Sequence, residues 1–310
     1  MPIVANYEYT EIIGNGAFGT IYKGKNRRTN AQVVIKMEPL DVEFSSIKHE
    51  STILNILYSK HCRNIPPTYW YGTVDSPPRR ILVMPFYKES LEDISFTQRG
   101  LSSSSLINNS SNTKSTTILR SFREGPMQNV KIASNIMRSA ISILDNIHSK
   151  YVVHRDIKPA NFMIHNEELI LIDFGLASFY VDTEERHIQP ANPKKRHIVG
   201  TSKYVSWNVH RGEEYSRRDD LMSMVYVGLF LLYGNKLWSG EVDNTDVLME
   251  KSDILHPVNR FYESHKTVQN ILKKTEEWSE LMKFSENVYR LSFQERPSYK
   301  EYIELFLKTI

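Results

Sequence analysis

The stretch that most constrains this 310-residue chain is short and polar. It is His154-Arg155-Asp156-Ile157-Lys158-Pro159-Ala160-Asn161, and Asp173-Phe174-Gly175 follows 12 residues after Asn161, at the end of the short apolar strand predicted over ELILI. A lone H-R-D triplet reads as a polar loop, and a lone aspartate before Phe-Gly reads as a turn former. Together, with Lys158 and Asn161 at these offsets, they match a chemical task. Asp156 would orient the proton of an attacking hydroxyl, and Lys158 would neutralise charge on a transferring phosphoryl group. Asn161 would offer a neutral oxygen, and Asp173 a carboxylate, to a magnesium ion that bridges phosphates. A fold that serves this string must bring Asp173 back beside the loop that holds Asp156 and Asn161.

The rest of the chain supplies a plausible frame. Up to about residue 85 it reads as strands: TEIIGNGAFGTIYKGK is apolar and broken by glycines, AQVVIKME is β-branched, and RRILVMPFY is a further strand. Between them, SSIKHESTILNILYSK places Ile47, Leu54 and Leu57 on one helical face, and Glu50 falls on that same face. An inward carboxylate is costly unless paired, so a basic partner is expected opposite. Beyond about residue 88 the pattern turns helical. Val130, Ala133, Met137, Ala140, Leu144 and Ile147 recur at steps of three and four. Leu221 to Tyr233 is apolar on all sides and shorter than the ~20 residues of a membrane span, so it predicts a helix inside a large core. The stretch from Glu276 to Ile310 reads as helical again, and Ser102 to Thr117, almost all Ser, Thr and Asn, reads as a loop that buries little.

Gly14-Asn15-Gly16-Ala17-Phe18-Gly19 is by itself a weak signal, compatible with a plain glycine-rich hairpin. A dinucleotide-binding turn would open a helix after the third glycine. Here Thr20 and Ile21 continue as a strand, which favours a hairpin folded over phosphates through its backbone N–H groups. Lys36 closes the strand VVIK, and a pair with Glu50 would fix its ammonium where α and β phosphates can meet it.

These residues together resemble the eukaryotic protein kinase family along nearly the whole chain. Closer features are similar to its casein kinase 1 group. They are Ser90-Leu91-Glu92-Asp93-Ile94, the segment from Gly200 to Asn208 in place of the usual A-P-E, and Ser216-Arg217-Arg218-Asp219-Asp220-Leu221. The resemblance implies an α+β, bilobal fold in a single domain over 1–310. A small antiparallel β-sheet lobe (about 1–84) would join, through a hinge at 85–87, a larger mainly α-helical lobe (88–310) with a Ser-rich insertion at about 98–125. It implies a serine/threonine kinase, since Lys158 stands two residues after Asp156, with ATP and Mg2+ as cofactors and proteins as substrates. Nucleotide contacts would come from Ile13, Gly14, Asn15, Gly16, Gly19, Ile21 and Val34, and from Lys36, Glu50 and Asp173. Met84 would be the gatekeeper, with adenine on the Pro85 carbonyl and the Tyr87 N–H. Asp220 would hold the catalytic-loop backbone, and Thr201 would stand beside Asp156 and Lys158. Arg296 matches an arginine whose usual glutamate partner is replaced here by Asn208.

Two departures bear on substrate choice. Lys203 stands where the group has an arginine, which keeps the charge and loses the bidentate fork. Leu237-Trp238-Ser239-Gly240 runs into Glu241, Asp243 and Asp246 rather than a basic stretch. Lys194, Lys195 and Arg196 could form a positive patch with Lys203 or a solvated basic loop. The Ser-rich loop is either a passive insertion or an autophosphorylation site. The missing anchor suggests activity without an upstream kinase.

Composition adds exclusions. Lys plus Arg total 39 against 36 acidic residues, a net charge of +3, which argues for neither nucleic acid nor membrane as a partner. The single cysteine, Cys62, forms no internal disulfide and reads as structural, in keeping with an intracellular chain, cytoplasmic or nuclear, and a monomer is expected. The rival readings are a pseudokinase scaffold, which would need a defect in the catalytic set, and a small-molecule phosphotransferase of related fold.

Overall fold

The structure is a computed structural model that describes residues 3–16, 19–75, 77–93, 126–190, 199–234 and 278–308. The Ser-rich insertion, residues 194–196 and the stretch 237–246 lie outside the described residues, as do Ala17 and Phe18.

The first third of the chain builds one antiparallel sheet. Its strands are β1 (Ile3–Val4), β2 (Tyr7–Gly16), β3 (Gly19–Asn26), β4 (Gln32–Pro39), β5 (Trp70–Asp75) and β6 (Pro78–Pro85), in the order β1-β2-β3-β4-β6-β5. The alternation in β4 sets its two faces. Val33, Ile35 and Met37 are buried with Val4, Tyr7, Ile81 and Val83 on one side. Val34 and Lys36 stand on the other side, opposite Met84 and Leu82 in the β4–β6 register. On that second face lies α1 (Ser46–Ser59), whose N-cap Ser45 accepts the Lys48 N–H at 2.9 Å. Ile47, Ile53, Leu54 and Leu57 are buried along α1, and so is Glu50.

Beyond β6 the chain becomes helical. Helices α2 (Pro126–His148), α3 (Trp207–His210), α4 (Arg217–Tyr233), α5 (Ser279–Tyr289) and α6 (Tyr299–Leu307) form the second half. Every residue expected on the inner face of α2 is buried. α4 is buried on all sides from Arg217 to Leu231, as its unbroken apolar run requires. The C-terminal stretch is two helices rather than one: α5 stops at Tyr289, and Pro297 lies just before α6. Among the described residues, no helix is long and apolar enough to cross a membrane.

Among the described residues, five short strands sit inside this helical half: β7 (Glu89–Ser90), β8 (Val152–Val153), β9 (Phe162–His165), β10 (Glu168–Leu171) and β11 (Ser178–Phe179). They pair as β10-β9-β7 and β11-β8. Their job is local: the open end of the β9–β10 hairpin brings together Asn161, just before β9, and Asp173, two residues past β10. A single apolar core runs from α1 and the inner face of β6 through α2 and α4 to α6, so sheet and helices are joined by continuous packing.

Cys62 is buried, donates toward the Asn146 side-chain oxygen at 3.3 Å, and has its thiol pKa pushed up by burial, as a structural cysteine should. Leu144, four residues before the end of α2, is fully buried. Leu144→Ala should therefore cost roughly 2–5 kcal/mol. A denaturant titration reads this as a lower midpoint with an unchanged slope.

Candidate functional site

The site begins with a buried charge trio. Lys36 projects from β4 toward α1, and its Nζ donates to Glu50 Oε1 at 2.9 Å, to Glu50 Oε2 at 2.7 Å and to Asp173 Oδ1 at 2.8 Å. Burial works against the ammonium, yet the carboxylates of Glu50 and Asp173 outweigh it and hold the Lys36 pKa above its ordinary value. Burial likewise works against the Asp173 carboxylate, and Lys36 overcomes it, leaving that pKa below the usual range. Glu50, 2% exposed, is pushed up by burial despite its bond to Lys36. It also accepts the Phe174 N–H at 3.2 Å. Asp173 itself has φ +69°, a left-handed conformation that turns its carboxylate toward Lys36 and the next N–H toward Glu50.

A second cluster is built on the loop after β8. Asp220, near the start of α4, accepts the His154 N–H at 2.7 Å and the Arg155 N–H at 3.0 Å. It also accepts His148 Nε2 at 2.9 Å and the Tyr215 hydroxyl at 3.1 Å. Burial would raise its pKa, but the His148 bond and neighbouring donors reverse the sign, so Asp220 is held below its usual value. His154 donates from Nε2 to the Ile172 carbonyl at 3.0 Å and accepts the Asp156 N–H on Nδ1 at 3.3 Å, which fixes one neutral tautomer. Burial holds its pKa down.

That backbone presents Asp156. Its Oδ1 accepts the Thr201 N–H at 2.9 Å and the Thr201 hydroxyl at 2.7 Å. Its Oδ2 accepts Lys158 Nζ at 2.7 Å and Asn161 Nδ2 at 3.1 Å. Lys158 also donates to Thr201 Oγ1 at 2.9 Å. Asn161 commits its amide nitrogen to Asp156, so its side-chain oxygen is turned away from that carboxylate. The Asn161 backbone carbonyl accepts the Ile172 N–H at 2.9 Å, which sets Asn161 beside the residue that precedes Asp173.

The segment from Val199 to Asn208 is anchored without an ion pair to Arg296, which is exposed. Instead Ser206 Oγ donates to Asp219 Oδ1 at 2.5 Å, and Asn208 Nδ2 donates to the same atom at 3.3 Å. Burial lifts the Asp219 pKa to about 6. Arg217, not Arg296, ties down the C-terminal loop through the Gln294 carbonyl at 2.7 Å, and its guanidinium lies 4.6 Å from the centre of the Tyr180 ring. Gly200 closes the contact with the catalytic loop. It has φ +100°, and a Cβ there would lie 2.5 Å from the Arg155 carbonyl oxygen.

The expected nucleotide-cleft residues divide by position. Ile21, Val34, Lys36 and Met84 share one sheet face through the registers Ile21↔Lys36 and Val34↔Met84. Gly14, Asn15 and Gly16 lie at the end of β2, with Asn15 Oδ1 accepting the Thr20 hydroxyl at 3.0 Å. Gly19 has φ +100°, and a Cβ would meet the Met37 carbonyl oxygen at 2.2 Å, so only glycine fits where the hairpin meets β4. Ile13 sits at a register shift in the hairpin and is 45% exposed. Pro85 ends β6, the Phe86 N–H donates to the Gln32 carbonyl at 3.3 Å, and the half-buried Tyr87 ring lies against His165 with centroids 5.3 Å apart.

Among the described residues, no group of three His, Cys, Asp or Glu could cage a metal. Asp173, 32% exposed, and Asn161 suit an ion that takes its remaining ligands from phosphates and water, which is magnesium's habit. Two further site residues were not foreseen, His148 and Tyr299. His148 Nδ1 meets the Tyr299 hydroxyl at 2.5 Å and its other nitrogen meets Asp220. In sequence both fall on apolar helix faces, where they pass for core, and only an unpaired polar tip on such a face could have signalled them.

Two outcomes are expected. Gly200→Ala should destabilise by about 2 kcal/mol or more, because the clash is with backbone and the φ is left-handed. A thermal melt measures the loss. His210, whose Nε2 meets the Ser202 carbonyl at 3.2 Å, has its pKa lowered by burial to about 4. The unfolded chain takes that proton near pH 6.5, before the folded one does. Stability should therefore fall, relative to His210→Gln, as pH drops from about 6.5 to about 4, and match it in trend above pH 7. Denaturant midpoints of both proteins across that range give the answer.

Comparison with known proteins agrees with this geometry. The family described as the protein kinase domain matches residues 7–305. Casein kinase I homolog 2 of Schizosaccharomyces pombe is 29% identical over 97% of this chain and 62% of its own length. Casein kinase I homolog 1 of the same yeast is 31% identical over 76% of this chain and 47% of its own. Casein kinase I homolog 2 of Saccharomyces cerevisiae is 29% identical over 98% of this chain and 50% of its own. The chain thus spans between 47% and 62% of the length of these relatives. With a family match over almost all of its length, and with Lys36, Glu50, Asp156, Asn161 and Asp173 set as described, the chain belongs to the protein kinase domain family.

Proposed function

We propose that this chain is a serine/threonine protein kinase resembling casein kinase 1, which transfers the γ-phosphoryl group of ATP to hydroxyls of protein substrates. One observation carries the reading. Two loops joined by one short hairpin present Asp173 beside Lys36, which is 137 residues away in sequence, and Asp156 beside Lys158, with Asn161 between them. That arrangement suits catalysis by positioning and charge neutralisation.

Each residue has a role in this reading. Lys36, held by Glu50, meets the α and β phosphates, and the β2–β3 hairpin offers its backbone N–H groups from above. Ile13, Ile21, Val34 and Met84 bound the adenine, which bonds to the Pro85 carbonyl and the Tyr87 N–H. Asp173 and Asn161 would hold magnesium, which would supply charge neutralisation to the phosphates. Asp156 takes the substrate hydroxyl. Thr201 already places a hydroxyl on Asp156 Oδ1, so that oxygen can accept from an alcohol of the kind a protein substrate offers. Lys158 stands on the other oxygen, ready to face the transferring group. The single domain with a hinge at 85–87, the monomeric state and the intracellular setting belong to the same proposal.

The test is phosphate transfer to casein from labelled ATP with Mg2+. Asp156→Asn should lower kcat by roughly 10²- to 10⁴-fold while nucleotide binding persists. Equal label from both proteins would remove the enzyme reading and leave the scaffold. Tyrosine-only peptides should receive no label.

A further inference from the structure

Two residues beyond Lys36, on the same face of β4, a second carboxylate grips α1. Glu38 is 3% exposed. Its Oε1 accepts Arg80 Nη1 at 2.7 Å and the Ser45 hydroxyl, and its Oε2 accepts the Ser46 hydroxyl at 3.3 Å and the Ile47 N–H at 3.3 Å. Arg80 lies directly opposite Glu38 in the β4–β6 ladder, so the carboxylate is charge-paired from its own sheet. Ser45 is the N-cap of α1, and Ser46 and Ile47 are its first two residues. Glu38 therefore takes up donors at the end of the helix where unpaired N–H groups and the dipole favour an anion.

The spacing makes Glu38 and Lys36 a matched pair. Two residues along a strand span about 6.6 Å. Four residues along a helix, from Ser46 to Glu50, span about 6 Å on one face. Lys36 holds Glu50 while Glu38 holds the first turn, so α1 is fixed at two points along its axis. The connecting loop offers no such hold: Asp41 to Phe44 are exposed, and Phe44 is 86% exposed. Further along α1, the His49 ring meets the Ala177 carbonyl at 2.6 Å, so a shift of the helix would carry to the segment after Gly175.

We propose that Glu38 is a positioning residue for phosphoryl transfer: it seats the N-terminal turn of α1 so that Glu50 can hold Lys36. This rests on the reading of Lys36 as the phosphate-binding group. It acts through Glu50 and touches neither nucleotide nor substrate.

The test uses the whole chain, with Glu38→Ala and Glu38→Gln, each also placed in a Glu50→Gln background. Initial rates are taken at varied ATP with a serine peptide, and backbone hydrogen exchange is followed in parallel. Glu38→Ala should lower kcat/KM for ATP roughly tenfold and leave the KM for peptide unchanged. Amides of α1 should exchange roughly tenfold faster, while those of α4 keep their protection. In the Glu50→Gln background the further loss should be less than about twofold, because the path through Glu50 is already broken. Unchanged ATP kinetics with native exchange in α1, or a full tenfold loss in the double variant, would overturn the proposal. Should the alanine variant not fold, Glu38→Gln keeps the shape and gives up the charge, and the same comparison is read from it. A wild-type chain with no turnover would defeat the kinase reading, and the exchange of α1 would still decide whether Glu38 seats the helix.

Discussion

A carboxylate taken out of water costs several kcal/mol unless donors replace its hydration. Asp220 is fully buried and is nonetheless held in its charged form by four donors. Two of those donors are the backbone N–H groups of His154 and Arg155. The need to satisfy one buried charge therefore fixes the main chain two residues before Asp156. α4 is enclosed on all sides, so it can carry such a charge only because those donors replace the lost water. The hydrophobic run and the catalytic loop are thus a single device: the core immobilises Asp220, and Asp220 immobilises the loop.

The Lys36 trio has the opposite character. It joins one ammonium to two carboxylates, with Lys36 and Glu50 nearly closed to water and Asp173 partly open to it. One negative charge is left over, and it is Asp173, the more exposed of the two acids, that faces the cleft. A divalent cation beside Asp173 would offset that excess, whereas Glu50 is spoken for by Lys36 and the Phe174 N–H. The asymmetry follows from burial. The enclosed acid does structural work, and the open one is suited to a metal.

Much of this could be read in the chain. α1, α2 and α4 follow from periodicity, and the inward Glu50 announced a basic partner before Lys36 was seen beside it. Of the short strands, β10 is legible in the apolar run ELILI, whereas β7, β8, β9 and β11 could not be read, because two to four residues are too few to show alternation. They are imposed by tertiary packing. The partner of Arg296 could not be read either, since in the fold its expected work passes to Arg217 and to the Ser206, Asn208 and Asp219 hydrogen bonds. Thr201 beside Asp156 came from resemblance, because no spacing rule joins residues 45 apart. Glu38 was hidden for another reason: a glutamate near a strand end looks solvated until Arg80 and the start of α1 are placed around it.

Backbone strain marks the same points. Arg155 and Asp173 both hold left-handed φ values, +70° and +69°, which cost non-glycine residues roughly 1–2 kcal/mol each. Each is offset where it occurs. The Arg155 N–H is taken by Asp220, and the carbonyl of Arg155 is packed against Gly200. The turn at Asp173 delivers the Phe174 N–H to Glu50 and the Phe174 ring to His154, with centroids 4.8 Å apart. Relaxing either residue would release its strain and break a bond to a buried carboxylate, which costs more. Asp156 and Asp173 are therefore held by contacts that compete with the backbone's own preference. Their geometry survives because two buried acids, Asp220 and Glu50, have nowhere else to find those donors.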